Sequence, residues 1–420
     1  MERREEKTDW LIVFLYIVFI IFGWLNIYAS STKDVEASIF NIDSNSGRQF
    51  IFMVASVLIG LTINSLNTKL IEFFSYFAYG GTILLLLLVL IVGHKVNGAR
   101  SWFNIGPFGI QPAEFAKVTT TMALAQYMSS IHFNIRRMSS QLIVGGIIGL
   151  PVFLILLQPD AGTALVFSVF LLVFFREGLS YIYLVLIFLV VLFSILAIRV
   201  NNVLVIISIV ALTFSSCYFI FKLKHILAHV VIGLSLIFLV SSVSYVIDNV
   251  LKPHQRERIY GLFEQDNYTR EHNWNTTQSK IAIGSGGFMG KGFMKGTQTK
   301  YDFVPQQTTD FIFCTVGEEH GWLGSVIFLI LMWVFLAQII YVSENAKSSY
   351  ARVFGYSTAA IIFFHVAVNI SMTIGLAPVI GIPLPFISYG GSSLISFTVM
   401  IAILLNLYSN RTNVFSSPRY

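Results

Sequence analysis

The sequence predicts an all-α, polytopic transmembrane helix bundle, and three observations predict it. Hydrophobic residues fill 55% of 420 positions, charged residues only 11%, and the mean hydropathy is +0.75, an excess that no soluble core requires. Apolar stretches of about 20 residues, the length a helix needs to cross about 30 Å of hydrocarbon, recur along the chain. The hydrophilic connections between them are short, with one exception.

Taken in order, residues 10–29 follow a charged Met-Glu-Arg-Arg-Glu-Glu-Lys start and precede no small-residue cleavage site, so they read as a retained helix. Residues 49–66, 70–93, 113–130, 140–157 and 162–176 continue the series. Next come 180–199, 202–221 and 225–247, then 310–341, 354–375 and 388–409, giving about twelve spans in one integral membrane domain, residues 1–420. The exception among the connections is 248–309. Its aromatic residues (Tyr260, Phe263, Trp274, Phe288, Phe293, Tyr301, Phe303) mark it as an ordered loop and not a linker.

Charge gives the spans a direction. Arg3, Arg4, Lys7, Lys69, Arg136, Arg137, Arg176, Lys222, Lys224, Lys347, Arg352, Arg411 and Arg419 all fall on the side of the N-terminus. The positive-inside rule therefore expects both termini in the cytoplasm and the long loop outside. The net charge of +6 is scattered over short loops, which argues for topology and against nucleic acid. Cys217 and Cys314 lie in apolar segments and suggest no disulfide framework.

Ionisable residues at membrane depth are expensive and so mark function unless they pair. Arg100, Glu114, Lys117, Asp160, Asp310, Glu318, Glu319 and His320 all fall towards the outer ends of their helices. Glu114 and Lys117 are three apart, so they share a face and can form a salt bridge or touch a substrate. Asp310 opens a long apolar helix, where the macrodipole favours an acid. The run Ile283 to Gly292, with five glycines, has the composition of a phosphate-cradling loop but is not a Walker motif, because no Ser or Thr follows Lys291. The segment Gly381 to Ser393 breaks the approach to the last helix with Pro383 and Pro385 and must line protein or water.

Several strings together are specific: Arg100 to Gly106, Gln111 to Lys117, Gln158 to Thr163, Gln278 to Gly287, Thr309 to Phe313 and Pro383 to Gly391. In that order they resemble the SEDS family (shape, elongation, division and sporulation). Gly290 to Gly292 followed by Gly296 to Gln298 looks more like its elongation member than its division member. The resemblance implies an inverting glycosyltransferase that polymerises lipid II on the outer face of the bacterial cytoplasmic membrane, alongside a class B penicillin-binding protein. It implies Asp310 as the essential carboxylate and general base, and Trp102, Glu114 and Lys117 as functional residues. Arg48, Arg100 and Lys117 are candidates to hold pyrophosphate, with a divalent cation, Mg or Mn, as a plausible helper and no organic cofactor. Gln278, Lys280, Gln298, Glu319 and Ser388, all near these strings, complete the substrate-binding candidates. The family usually has ten spans, so 180–221 reads as an inserted pair. The rival function, a transporter of lipid-linked precursors, suits a bundle with intramembrane charge but expects that charge at the midplane.

Overall fold

The computed structural model describes residues 8–31, 38–96, 99–106, 108–199, 202–218, 223–249, 274–301 and 303–409. The start of the long loop, 250–273, and the basic residues near both ends of the chain lie outside them. The helices are α1 (Trp10–Ser31), α2 (Asn45–Ser65), α3 (Thr68–Val92), α4 (Pro112–Met128), α5 (Met138–Leu157), α6 (Ala161–Val166) and α7 (Phe170–Arg176). They continue as α8 (Tyr181–Arg199), α9 (Asn202–Tyr218), α10 (Leu223–Asn249), α11 (Trp274–Ser285), α12 (Thr297–Lys300), α13 (Ile312–Glu344), α14 (Ser349–Thr373) and α15 (Gly391–Ser409). Each apolar stretch read from the sequence is mostly helical over its described residues. Among the described residues seven helices, α1, α2, α3, α5, α13, α14 and α15, are long and apolar enough to cross a membrane. The chain is a multi-pass membrane protein.

Two features were not expected. Residues 94–110, where the sequence reading placed no strand, form a three-stranded antiparallel sheet of β1 (His94–Val96), β2 (Ala99–Ile105) and β3 (Phe108–Ile110). The stretch 162–176 is broken by a 3-10 turn at Phe167–Val169 that separates α6 from α7.

One compact unit comprises residues 1–178, 275–375 and 380–420. Its centre is α14 and α15, whose most apolar windows are each 72% buried against 22% in α3, so α3 faces lipid while α14 and α15 do not. Polar side chains join its helices where hydrocarbon offers no other partner. The hydroxyls of Tyr16 and Thr398 meet at 2.8 Å, and those of Ser75 and Tyr350 at 2.9 Å. Pro151 inside α5 cannot donate to Ile147 O, and the Tyr79 hydroxyl of α3 supplies that bond at 2.9 Å. The other unit contains α8, α9 and α10, which share a core of Phe193, Val205, Ile209, Leu236 and Val240.

Candidate active site

Asp310 sits in a turn just before α13, which starts at Ile312 with Phe311 as its cap. The sequence placed it in the first helical turn; the irregular backbone instead frees it to be held from behind. Buried Asn369 of α14 donates from Nδ2 to Asp310 O at 2.8 Å and to Ile382 O at 2.7 Å. Ser388 Oγ donates to Thr309 O at 2.6 Å and accepts from Leu384 N at 2.8 Å. Tyr389 N donates to Thr308 O at 2.8 Å. The broken segment before α15 is thus stitched to the residues leading into Asp310, and its donor-poor prolines are tolerated because neighbouring side chains take their carbonyls. Asp310 is half-buried, and a Cβ on Gly381 would lie 3.5 Å from its Oδ2.

Phe386 anchors this segment. Its φ of 66° is costly for a bulky residue. The ring is locked by edge contacts with Tyr16 at 5.5 Å and Phe335 at 5.7 Å. Helix α1 approaches the same stretch through Gly23, where a Cβ would meet Phe386 O at 2.5 Å, so only glycine fits. The N-terminus of α2 adds Asn45, whose amide reaches Thr308 Oγ1, and Gln49, whose Oε1 accepts from Gly390 N. Arg48 lies between them, its Nε donating to Ile42 O at 3.1 Å. A cation in a first helical turn is opposed by the macrodipole, which suits it to meet an anion there.

The N-termini of α4 and α6 close another side. Gln111 N donates to Ser392 Oγ, and Gln111 Nε2 to Asp160 Oδ2 at 2.9 Å. Asp160 caps α6 by accepting from Thr163 N and Oγ1. Burial lifts the Asp160 carboxyl above the ordinary carboxylate range, and the bonds from Thr163 oppose that rise.

Glu114 and Lys117 are both buried, and Lys117 Nζ lies 2.9 Å from each Glu114 oxygen. Its third proton goes to His365 Nε2 at 2.9 Å, and the ammonium rests 5.1 Å from the centre of the Phe397 ring. His365 Nδ1 in turn donates to Pro383 O at 3.1 Å. All three protons of Lys117 have partners inside the protein, so the pair forms a buried link between α4 and α14.

The glycine run corrects another expectation. Its N–H groups are not aimed at an anion: Lys291 N and Gly292 N donate to Glu318 O and Glu319 O, while Trp322 N and Leu323 N donate to Gly287 O and Phe288 O. These four bonds replace helical ones around Gly321, where α13 breaks with φ 67° and ψ −162°. Two backbones touch here, so a Cβ on Gly286, Gly290 or Gly321 would sit 2.1, 2.1 or 2.2 Å from the opposing chain. The Glu318 carboxylate accepts from Thr297 N, Gln298 N, Thr299 N and Lys291 Nζ at 2.7–3.0 Å. Glu319, also buried, contributes its backbone carbonyl, the acceptor for Gly292 N at 2.9 Å. Both acids hold the loop and are separate from Asp310 in role.

Of the remaining candidates, Arg100 donates to Leu90 O at the end of α3, a C-capping contact. Trp102 is half-buried on β2 against Gly109, where a Cβ would come within 2.9 Å of the ring. Gln278 and Lys280 lie on α11, and Lys280 Nζ passes beside Gly375 at the end of α14. Ser388 reaches the residue before Asp310, through Thr309 O, while Gln298 on α12 and Glu319 on α13 lie where the glycine run docks. His365 and Asn369 were missed. Both lie on one face of an apolar helix, four residues apart, and the cost of placing a His and an Asn there was the available signal.

The FtsW/RodA/SpoVE family, described as cell cycle protein, matches residues 9–206 and 199–413. Peptidoglycan glycosyltransferase RodA of Treponema pallidum (strain Nichols) is 32% identical, the match covering 95% of this chain and 96% of the relative. Peptidoglycan glycosyltransferase MrdB of Escherichia coli (strain K12) is 25% identical over 98% of both. Among solved structures, a chain from a study of how a peptidoglycan synthase complex coordinates polymerization and crosslinking matches with a TM-score of 0.70 and 26% identity, covering 98% of this chain and 99% of that one. RodA of Thermus thermophilus shares the fold, with a TM-score of 0.62 at 24% identity, covering 96% of this chain and 97% of that one. With a family match running over nearly the whole length and a relative above 30% identity end to end, this chain belongs to the FtsW/RodA/SpoVE family, the SEDS proteins.

Proposed function

We propose that this chain is a RodA-type peptidoglycan glycosyltransferase that polymerises lipid II into glycan strands, with Asp310 as general base. The supporting observation is the seat of Asp310: a half-buried residue on a backbone pinned by Asn369 and Ser388, with a glycine opposite its Oδ2. A base so fixed loses little orientational freedom when substrate arrives. Asp310 takes the proton of the acceptor sugar hydroxyl as that oxygen attacks the anomeric carbon of the donor. The bond to pyrophosphate breaks, and the leaving group departs from the opposite face. One displacement inverts the centre and needs no nucleophilic residue.

Negative charge grows on the pyrophosphate, and our candidate to meet it is Arg48, which lies one turn from the Asn45 contact with Thr308. Arg100 and Lys117, which have internal roles, contribute through the frame. Among the described residues no three His, Cys, Asp or Glu side chains are grouped to hold a metal. A Mg or Mn ion would supply charge to neutralise the leaving pyrophosphate alongside the basic side chains. In this reading the protein lies in the bacterial cytoplasmic membrane with both termini inside and the Asp310 end of the bundle outside. A class B penicillin-binding protein crosslinks its product.

The test is polymerisation of purified lipid II by the full-length protein in detergent, with Asp310→Asn beside the wild type. Loss of about 10²–10⁴-fold in rate in the variant, at an unchanged melting temperature, is expected for removal of a general base. Normal glycan from Asp310→Asn would sink the assignment.

A further inference from the structure

Two side chains of α14 four residues apart, His365 and Asn369, grip consecutive carbonyls of the broken segment, Pro383 O and Ile382 O. Asn369 also grips Asp310 O. His365 reaches the other way to Lys117, and through it to Glu114. The acceptors fix the chemistry of the bridge. A carbonyl only accepts, so Nδ1 carries the imidazole proton; Nε2 then presents its lone pair to the Lys117 ammonium. A second proton on Nε2 would set two cations face to face at 2.9 Å, with both groups almost fully enclosed. Every polar atom of the chain Glu114, Lys117, His365, Pro383 is satisfied in this one arrangement.

We infer that His365 is a positioning residue for the transfer reaction: its bond to the Pro383 carbonyl holds the wall that seats Asp310, and the Lys117 ammonium on Nε2 fixes the tautomer that makes this bond. This rests on the polymerase reading given above. Lys117 is held by Glu114 alone if His365 is removed, and the 382–384 backbone then loses one of its two ties to α14. Asp310 shares the other tie, so its backbone moves with that segment.

Three substitutions separate these links. In His365→Asn the amide nitrogen takes the place of Nδ1 and keeps the bond to Pro383 O. In His365→Gln the amide oxygen takes the place of Nε2 and keeps only the bond from Lys117. His365→Leu keeps neither. With purified full-length protein and lipid II, the Leu and Gln variants are expected to lose about tenfold or more in kcat with KM within about twofold, while Asn stays within about threefold of the wild type. Melting temperature tracks folding separately. Leu and Gln variants with wild-type kcat, or three variants slowed alike, overturn the inference. A wild-type protein that makes no glycan counts against the polymerase reading instead, and the coupling is then read from the histidine. Nitrogen NMR of 15N-histidine-labelled protein is expected to show His365 protonated at Nδ1 and bare at Nε2, with the Nε2 signal moved by Lys117→Met. Protonation at Nε2, or no response to Lys117→Met, overturns it.

Discussion

The side-chain amide of Asn369 donates one bond to Asp310 O and one to Ile382 O, at 2.8 and 2.7 Å, so the backbone of the proposed base and the wall opposite are fixed to each other by one nitrogen. Both acceptors are carbonyls, which settles the amide orientation. A loose base is a slow base, since a misplacement of about 1 Å can cost about 10²-fold.

Asn369→Asp should therefore be worse than Asn369→Ala. Aspartate turns an oxygen towards two carbonyl oxygens, whereas alanine only leaves them unpaired. Turnover of lipid II is expected to fall about tenfold in Ala and further in Asp. Equal rates in the two variants would contradict the clamp.

Gly321→Ala tests the docked glycine run. The φ of 67° and the approach of Gly290 N leave no space for a methyl group. A loss of about 2–4 kcal/mol is expected, read as a lowered melting temperature. Limited proteolysis should then cut within residues 284–300, which the wild type protects.

Glu318→Gln should release the neighbouring stretch by a different route. The carboxylate accepts from three backbone N–H groups and Lys291, and an amide has one oxygen to offer. The cost is about 2 kcal/mol. Cleavage should appear around Thr297 to Lys300 first, and Lys291→Met in the same background should add little, because the two residues act on one contact.

Asp160 gives stability a pH dependence with a definite sign. Burial raises its folded pKa above the unfolded value of about 3.9. The folded state then binds the proton more tightly, so stability falls as pH rises through the window between the unfolded and folded pKa. Asp160→Asn keeps the cap on α6, because Asn caps as well as Asp, and should flatten this fall while changing stability at pH 4 by no more than about 1 kcal/mol. Melting curves from pH 4 upwards check it; an unchanged slope counts against the assignment.

Much of this was legible in the sequence because hydrocarbon imposes a simple rule on composition. Residues 10–29 or 140–157 can be little but helices. Asp310, Glu114 and Lys117 stood out because charge is rare in such a setting. What escaped were features whose cause lies far along the chain. The glycines of 283–292 have the composition of an anion cradle, and only the backbone at 317–323, thirty-odd residues on, reveals that they accommodate another main chain. The sheet at 94–110 is short, and its Gly and Pro read as turns. His365 and Asn369 gain meaning only once Pro383 and Ile382 are beside them.

The break at Gly321 divides α13 into two rods of unequal duty. The lower one, from Trp322 to Glu344, is about 34 Å long at about 1.5 Å per residue and crosses the hydrocarbon unaided. The upper one, Ile312 to His320, is relieved of that task. Glu318, Glu319 and His320 can be carried there without the penalty that a continuous span would exact, and Asp310, the proposed base at its head, can be set by its neighbours without regard to the tilt of the rod below.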